Sequence, residues 1–124
     1  MTAEQLMALA QAAAAQAYCP YSGFAVGAAL LCADGAVYTG CNIENAAYSP
    51  TVCAERTAFF KAVQDGKREF TAIAVWAKKP ATPCGVCRQV MAEFCSGDFA
   101  VYLRDEDGIA AYRLDQLLPH SFSL

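Results

Sequence analysis

The sequence predicts an α/β fold, a three-layer α/β/α sandwich around a mixed, mostly five-stranded sheet. Three observations carry this. Apolar runs of strand length alternate with amphipathic stretches of helix length along the whole chain. The first two strand-like runs are joined through Asp34-Gly35, a hairpin signal that makes them antiparallel neighbours. The third run, residues 70–77, is apolar almost without interruption, as befits a strand covered on both faces.

The elements follow in order. Residues 2–17 read as a helix, with Thr2 and Gln5 as a capping box and Leu6, Leu9, Ala10, Ala13 and Ala17 as its apolar stripe. Residues 20–23 form a turn. Residues 24–32 and 36–41 form the hairpin, and residues 42–51 a polar loop. A second helix spans 52–64, with Ala58, Phe59, Ala62 and Val63 on one face and Gly66 as its stop. After the strand at 70–77 and a loop at 80–83, a third helix covers 84–95, with Val86, Val90 and Phe94 in register. Strands are expected at 99–103 and 109–112, with a turn at 105–108 between them. A last helical turn at 115–118 ends before Pro119. The strands joined by helices are expected to run parallel.

The chain of 124 residues makes one domain, 1–124, long enough to bury about two-thirds of its unfolded-chain surface. It is 56% hydrophobic, an excess that hints at apolar surface covered by other subunits. A net charge of −3 without any Lys/Arg block argues against a nucleic-acid partner and for a small, near-neutral ligand. No run of about 18 apolar residues is present, so no membrane partner is expected. The opening residues carry Glu4 and no basic segment, so no secretory leader is expected either. Seven cysteines, an odd number, do not make a fully paired disulfide framework. The expected compartment is the reducing cytoplasm, where clustered cysteines more often mean metal.

Chemistry concentrates in two motifs. Cys53-Ala54-Glu55 is a Cys-x-Glu triplet, and Pro83-Cys84-Gly85-Val86-Cys87 follows about thirty residues later. Each falls at a helix start, where the backbone dipole favours thiolate over thiol. Three thiolates can hold zinc and leave its fourth position to water, and Glu55 is close enough to Cys53 to handle that water's protons. Three thiolates around Zn²⁺ leave a net −1, which dulls a Lewis acid. Arg56 or Arg88, each adjacent to a motif, is expected to donate hydrogen bonds to the sulfurs.

Cys-Ala-Glu followed by Pro-Cys-x-x-Cys resembles the signature of the zinc-dependent cytidine deaminases. Residues 21–30, the loop Cys41-Asn42-Ile43-Glu44-Asn45-Ala46-Ala47-Tyr48 and the segment Pro119-His120-Ser121-Phe122 also resemble that family, above all its small homotetrameric type. The resemblance covers almost the whole chain. It implies hydrolytic deamination of cytidine and 2′-deoxycytidine at C4 in pyrimidine salvage, with one Zn²⁺ per subunit. It implies Cys53, Cys84 and Cys87 as zinc ligands and Glu55 as the proton shuttle. Asn42 and Glu44 would bind the ribose hydroxyls, Phe24 the ribose and pyrimidine, and Ala54 would also line the substrate site. Tyr48 and Phe122 would reach into a neighbouring subunit's pocket, and Arg56 would hydrogen-bond the ligand sulfurs. The implied assembly is a homotetramer with active sites shared between subunits.

Plainer readings stand beside these. Cys84 and Cys87 alone would suit a structural zinc knuckle or a redox pair. Cys41 or Cys95 as a fourth ligand would close the site and make it inert. Cys19, Cys32, Cys41 and Cys95 otherwise read as small core residues. Asn42 and Glu44 could simply hold a loop, and Phe24 and Phe122 could be core. His120 is assigned no role, and residues 67–69 and 105–107 read as solvated surface. A deaminase of nucleic-acid bases or of a nucleoside-like antibiotic, and a non-enzymatic zinc-stabilised domain, are the competing functions.

Overall fold

A computed structural model describes all 124 residues. The elements are α1 (Ala3–Ala14), β1 (Val26–Cys32), β2 (Val37–Cys41), α2 (Ala54–Gln64), β3 (Phe70–Ala77), α3 (Gly85–Phe94), β4 (Ala100–Asp105), β5 (Gly108–Arg113) and α4 (Leu114–Leu117). The five strands form one sheet in the order β2-β1-β3-β4-β5. Only β3 and β4 pair in parallel; the other neighbours are antiparallel. The sheet is therefore mixed, and α1 covers one face while α2 and α3 cover the other.

The capping box forms as the sequence predicts. The Gln5 amide donates to Thr2 Oγ1 at 3.1 Å, and the Thr2 amide donates to Gln5 Oε1 at 2.9 Å. The helix ends three residues earlier than its apolar pattern suggests. Beyond it the Tyr18 amide bonds the Asn42 carbonyl at 3.0 Å, which draws the chain off to meet residues 42–44. The buried stripe is also rotated: it consists of Leu6, Met7, Ala10 and Ala14, whereas Leu9 is exposed. The cause is the seat on β1. A Cβ on Gly27 would lie 1.9 Å from the Ala10 carbonyl oxygen, so the helix backbone rests directly on the strand. Leu6, Met7 and Ala10 close this side against Ala29, Ala72 and Ala74.

The opposite face holds the larger core. Phe59 and Met91 from α2 and α3 meet Leu30, Ile73, Val75, Val101 and Leu103 from the sheet. Phe59 lies edge-on to Phe70, with ring centroids 5.1 Å apart, and faces Phe94 at 6.2 Å. On α3 the buried positions are Cys87 and Met91, while Val86 is exposed. The expected Val86 register is displaced by one residue because Cys87 must face inward.

One topological fact positions everything that follows. Strands β2, β3 and β4 point the same way, and β1 runs against them between β2 and β3. The carboxyl ends of β2 and β3 therefore lie at one edge of the sheet, beside the start of β1. Helices α2 and α3, which follow β2 and β3, both begin at that edge.

Candidate metal centre and substrate cleft

Cys53 is the N-cap residue of α2 and Cys84 that of α3. Each has extended backbone (φ −76°, ψ 156° and φ −67°, ψ 167°), which turns its side chain back over the helix start. The Cys87 amide donates to Cys84 Sγ at 3.5 Å, so that sulfur caps its own helix. Cys53 Sγ lies 3.8 Å from Cys84 Sγ, and Cys84 Sγ lies 3.5 Å from Cys87 Sγ. All three sulfurs fall within 4.8 Å of one another. Tetrahedral zinc with Zn–S bonds of about 2.3 Å separates its sulfurs by about 3.8 Å. The donor set thus fits zinc in chemistry and in spacing. Cys41 and Cys95 are not part of this group, so no fourth thiol closes it.

Glu55 is the one charged residue of the core, 5% exposed in the first turn of α2. Burial, reinforced by the Cys53 thiolate, pushes its carboxyl up to about 7. Cys53 is drawn down to about 5, first by the hydrogen bond from Cys87 and then by Arg56. Cys87, which gives that hydrogen bond and is itself buried near Glu55, is pushed up.

The two arginines part company here. Arg56 Nη2 donates to Cys53 Sγ at 3.4 Å, which puts a positive charge beside the sulfurs. Its buried Nε has no partner. Arg88 turns away from the sulfurs to the carbonyls of Pro83 and Leu117.

A cleft of about 320 Å³ opens beside the sulfurs, lined by Phe24, Asn42, Glu44, Cys53, Ala54, Glu55 and Cys84 among others. Phe24 is 36% exposed and forms part of this wall rather than core. Asn42 holds the strand start with both ends of its amide. Its Nδ2 donates to the Phe24 carbonyl at 2.8 Å, and its Oδ1 accepts from the Val26 amide at 2.9 Å. This bracket replaces sheet pairing before Val26, so β1 begins two residues later than the apolar run. Glu44 accepts from the amides of Tyr21 and Ser22 at 2.9 and 3.1 Å and from Ser22 Oγ at 2.5 Å. Both residues therefore hold the loop and face the cleft.

Tyr48 and Phe122 do not line this cleft. Tyr48, in the left-handed region at φ 63°, lines an adjoining depression of about 410 Å³ with Tyr21, Ser22 and Glu44. Phe122 stands 68% exposed near the chain end. Thr51, Val52, Ala81 and Thr82, which belong to none of the motifs above, also line the walls. No residue chemistry marks them; only their place next to the two cysteine motifs could have.

A buried carboxylate beside three convergent thiols, on two helix starts at one sheet edge, defines a class: a zinc-dependent hydrolase. Comparison with known proteins narrows the class. Residues 1–103 match the model of the cytidine and deoxycytidylate deaminase zinc-binding region. A cytidine deaminase from Sporosarcina psychrophila is 58% identical over 126 residues, covering 99% of this chain and 93% of the relative. The crystal structure of cytidine deaminase from Burkholderia pseudomallei superposes with a TM-score of 0.93 at 46% identity, covering 98% of this chain and 100% of its own. That from Mycobacterium tuberculosis superposes with a TM-score of 0.89 at 39% identity, covering 100% and 99%. The chain belongs to the cytidine deaminase family of zinc-dependent hydrolytic enzymes.

Proposed function

We propose that this protein hydrolyses cytidine and 2′-deoxycytidine to uridine and 2′-deoxyuridine with release of ammonia, as a step of pyrimidine salvage. The observation that carries the reading is Glu55, a carboxyl buried beside the sulfurs at the end of a nucleoside-sized cleft. One zinc ion per subunit, held by Cys53, Cys84 and Cys87, would supply a Lewis acid that lowers the pKa of water to near neutrality.

The chain's own residues do the rest. Glu55, poised at about 7, takes a proton from the attacking water, places it on pyrimidine N3 and later passes one to the departing amino group. Its burial keeps competing water away from these transfers. Arg56 offsets the negative charge of the sulfurs. Phe24 presents an apolar face to the base and sugar, and Ala54 a wall too small to obstruct them. Three of the roughly four acceptor positions on the Glu44 carboxylate are taken by the 21–22 turn, and the last is free for a ribose hydroxyl. Asn42 likewise has one amide hydrogen to offer. Tyr48 and Phe122, exposed outside the cleft, fit a role across subunit boundaries in a homotetramer. The reading places the enzyme in the cytoplasm; no helix is long and apolar enough to cross a membrane.

The test is Glu55→Gln. It is expected to keep its fold and its zinc while turnover of cytidine falls by at least the roughly 10²–10⁴-fold typical of a lost general acid–base. Cys87→Ala should lose zinc together with activity. Unchanged turnover in the first variant, or one zinc per chain retained in the second, would remove the mechanism. Salt-dependent binding of single-stranded nucleic acid at low ionic strength would instead favour a polymeric substrate.

A further inference from the structure

We infer that Arg88 is a positioning residue that ties zinc retention to the seating of the C-terminal segment. The inference rests on the reading that the three thiols hold zinc. Arg88 follows Cys87 directly, yet its side chain bonds carbonyls and not a sulfur. Its Nε donates to the Pro83 carbonyl at 2.7 Å, and its Nη1 donates to the Leu117 carbonyl at 2.5 Å. The next residue, Gln89, reaches the same segment: its Nε2 donates to the Phe122 carbonyl at 3.0 Å.

Each contact has a distinct effect. Pro83 is fully buried, and its carbonyl lies one peptide before Cys84. Cys84 is the most exposed of the three thiols and sits outside the helix as its N-cap. The guanidinium therefore holds the backbone from which that sulfur projects. Leu117 ends α4, a single turn whose last carbonyls have no partner within the helix, and the guanidinium supplies one. Beyond it, residues 118–124 belong to no strand; Leu117 and Leu118 pack against the core, and Arg88 and Gln89 tie the Leu117 and Phe122 carbonyls to α3.

One rigid fork thus has one prong on the metal loop and the other on the tail. Metal that orders Cys84 and Cys87 steadies the fork, and a seated tail steadies it in turn. Coupling of this kind is reciprocal by necessity. Arg56 already provides the charge compensation, so the part left to Arg88 is geometric.

The experiment uses the full-length zinc protein, with Arg88→Ala and Arg88→Lys. Zinc release to a chromogenic chelator is timed, and amide exchange of residues 114–124 is followed with and without zinc. Arg88→Ala is expected to release zinc roughly 10-fold faster or more, the scale set by losing a partner that orients a ligand. Lysine, with its charge but no fork, should fall between alanine and wild type. In the wild type, stripping zinc should speed exchange in 114–124. In Arg88→Ala exchange there should no longer respond to zinc. A general loss of stability would instead raise exchange in β1 and β3 as well. Release rates within twofold of wild type in both variants would overturn the inference, as would a wild-type tail indifferent to zinc. The wild-type comparison decides the matter even if the alanine variant does not fold. A wild-type protein that binds no zinc would overturn the metal reading itself, and this inference with it.

Discussion

Glu44 shows how one side chain serves the loop and the cleft together. Its hydrogen bonds from Ser22, with the Tyr21 amide adding to them, hold the carboxyl below its ordinary value. A depressed carboxyl contributes stability above the unfolded value of 4.5, and that contribution is lost as pH falls through the folded value. The urea midpoint of wild type is therefore expected to exceed that of Glu44→Gln by a constant amount above about pH 6. The gap should narrow as the pH is taken below 4.5. A gap independent of pH would show that the carboxylate's charge is not what holds the turn. Glu55 is the opposite case: burial raises its carboxyl to about 7, which suits the proton-transfer role proposed for it.

Among the elements, two glycines set how closely helices lie on the sheet. A Cβ on Gly27 would collide with the α1 backbone, and one on Gly40 would stand 2.5 Å from both the Ala54 carbonyl and the Ala58 amide of α2. Neither contact is with a flexible side chain, so the helix as a whole must shift. Overpacking of this kind costs about 1–3 kcal/mol. Gly27→Ala is expected to lower the melting temperature while zinc is retained, because α1 lies on the face away from the sulfurs. Gly40→Ala should lower stability and weaken zinc as well, because α2 carries Cys53 at its start. Titration with a competing chelator, alongside thermal melts, separates the two. Equal zinc affinity in both variants would contradict this division of the faces.

At the scale of the whole molecule, metal and assembly are the two external supports. Zinc would bridge α2 and α3, which otherwise meet only through side chains, so its removal should lower the melting temperature and restoring it should reverse the change. A melt insensitive to a strong chelator would argue against a bridging ion. Tyr48, Phe122 and Phe60 are large, exposed and apolar, and a homotetramer would cover such surface. Light scattering is expected to give four times the chain mass. A persistent monomer with full activity would exclude shared active sites.

Much of this was legible in the chain because the relevant physics is local. The capping box, the Asp34-Gly35 turn and the buried strand Phe70–Ala77 each depend on a few consecutive residues, and each is present. The pairing of Cys84 with Cys87 spans one helical turn, so its spacing already implies convergence. Contacts between distant segments were not legible in the same way. The apolar stripe of α1 includes Met7 and not Leu9, and the helix backbone lies against Gly27 of β1 where a side chain would collide with it. Arg56 and Arg88, alike next to their motifs, were separated only by where Pro83 and Leu117 lie in space.

The chain by itself determined which atoms are available: three sulfurs and a carboxyl at helix starts, a property of residue type and short spacing. The tertiary structure alone decided that they meet. Cys53 and Cys84 lie 31 positions apart and come within 3.8 Å because β2 and β3 run the same way and end at one edge of the sheet. That shared direction starts both following helices at one sheet edge, and strand order and direction are long-range choices that no local spacing encodes.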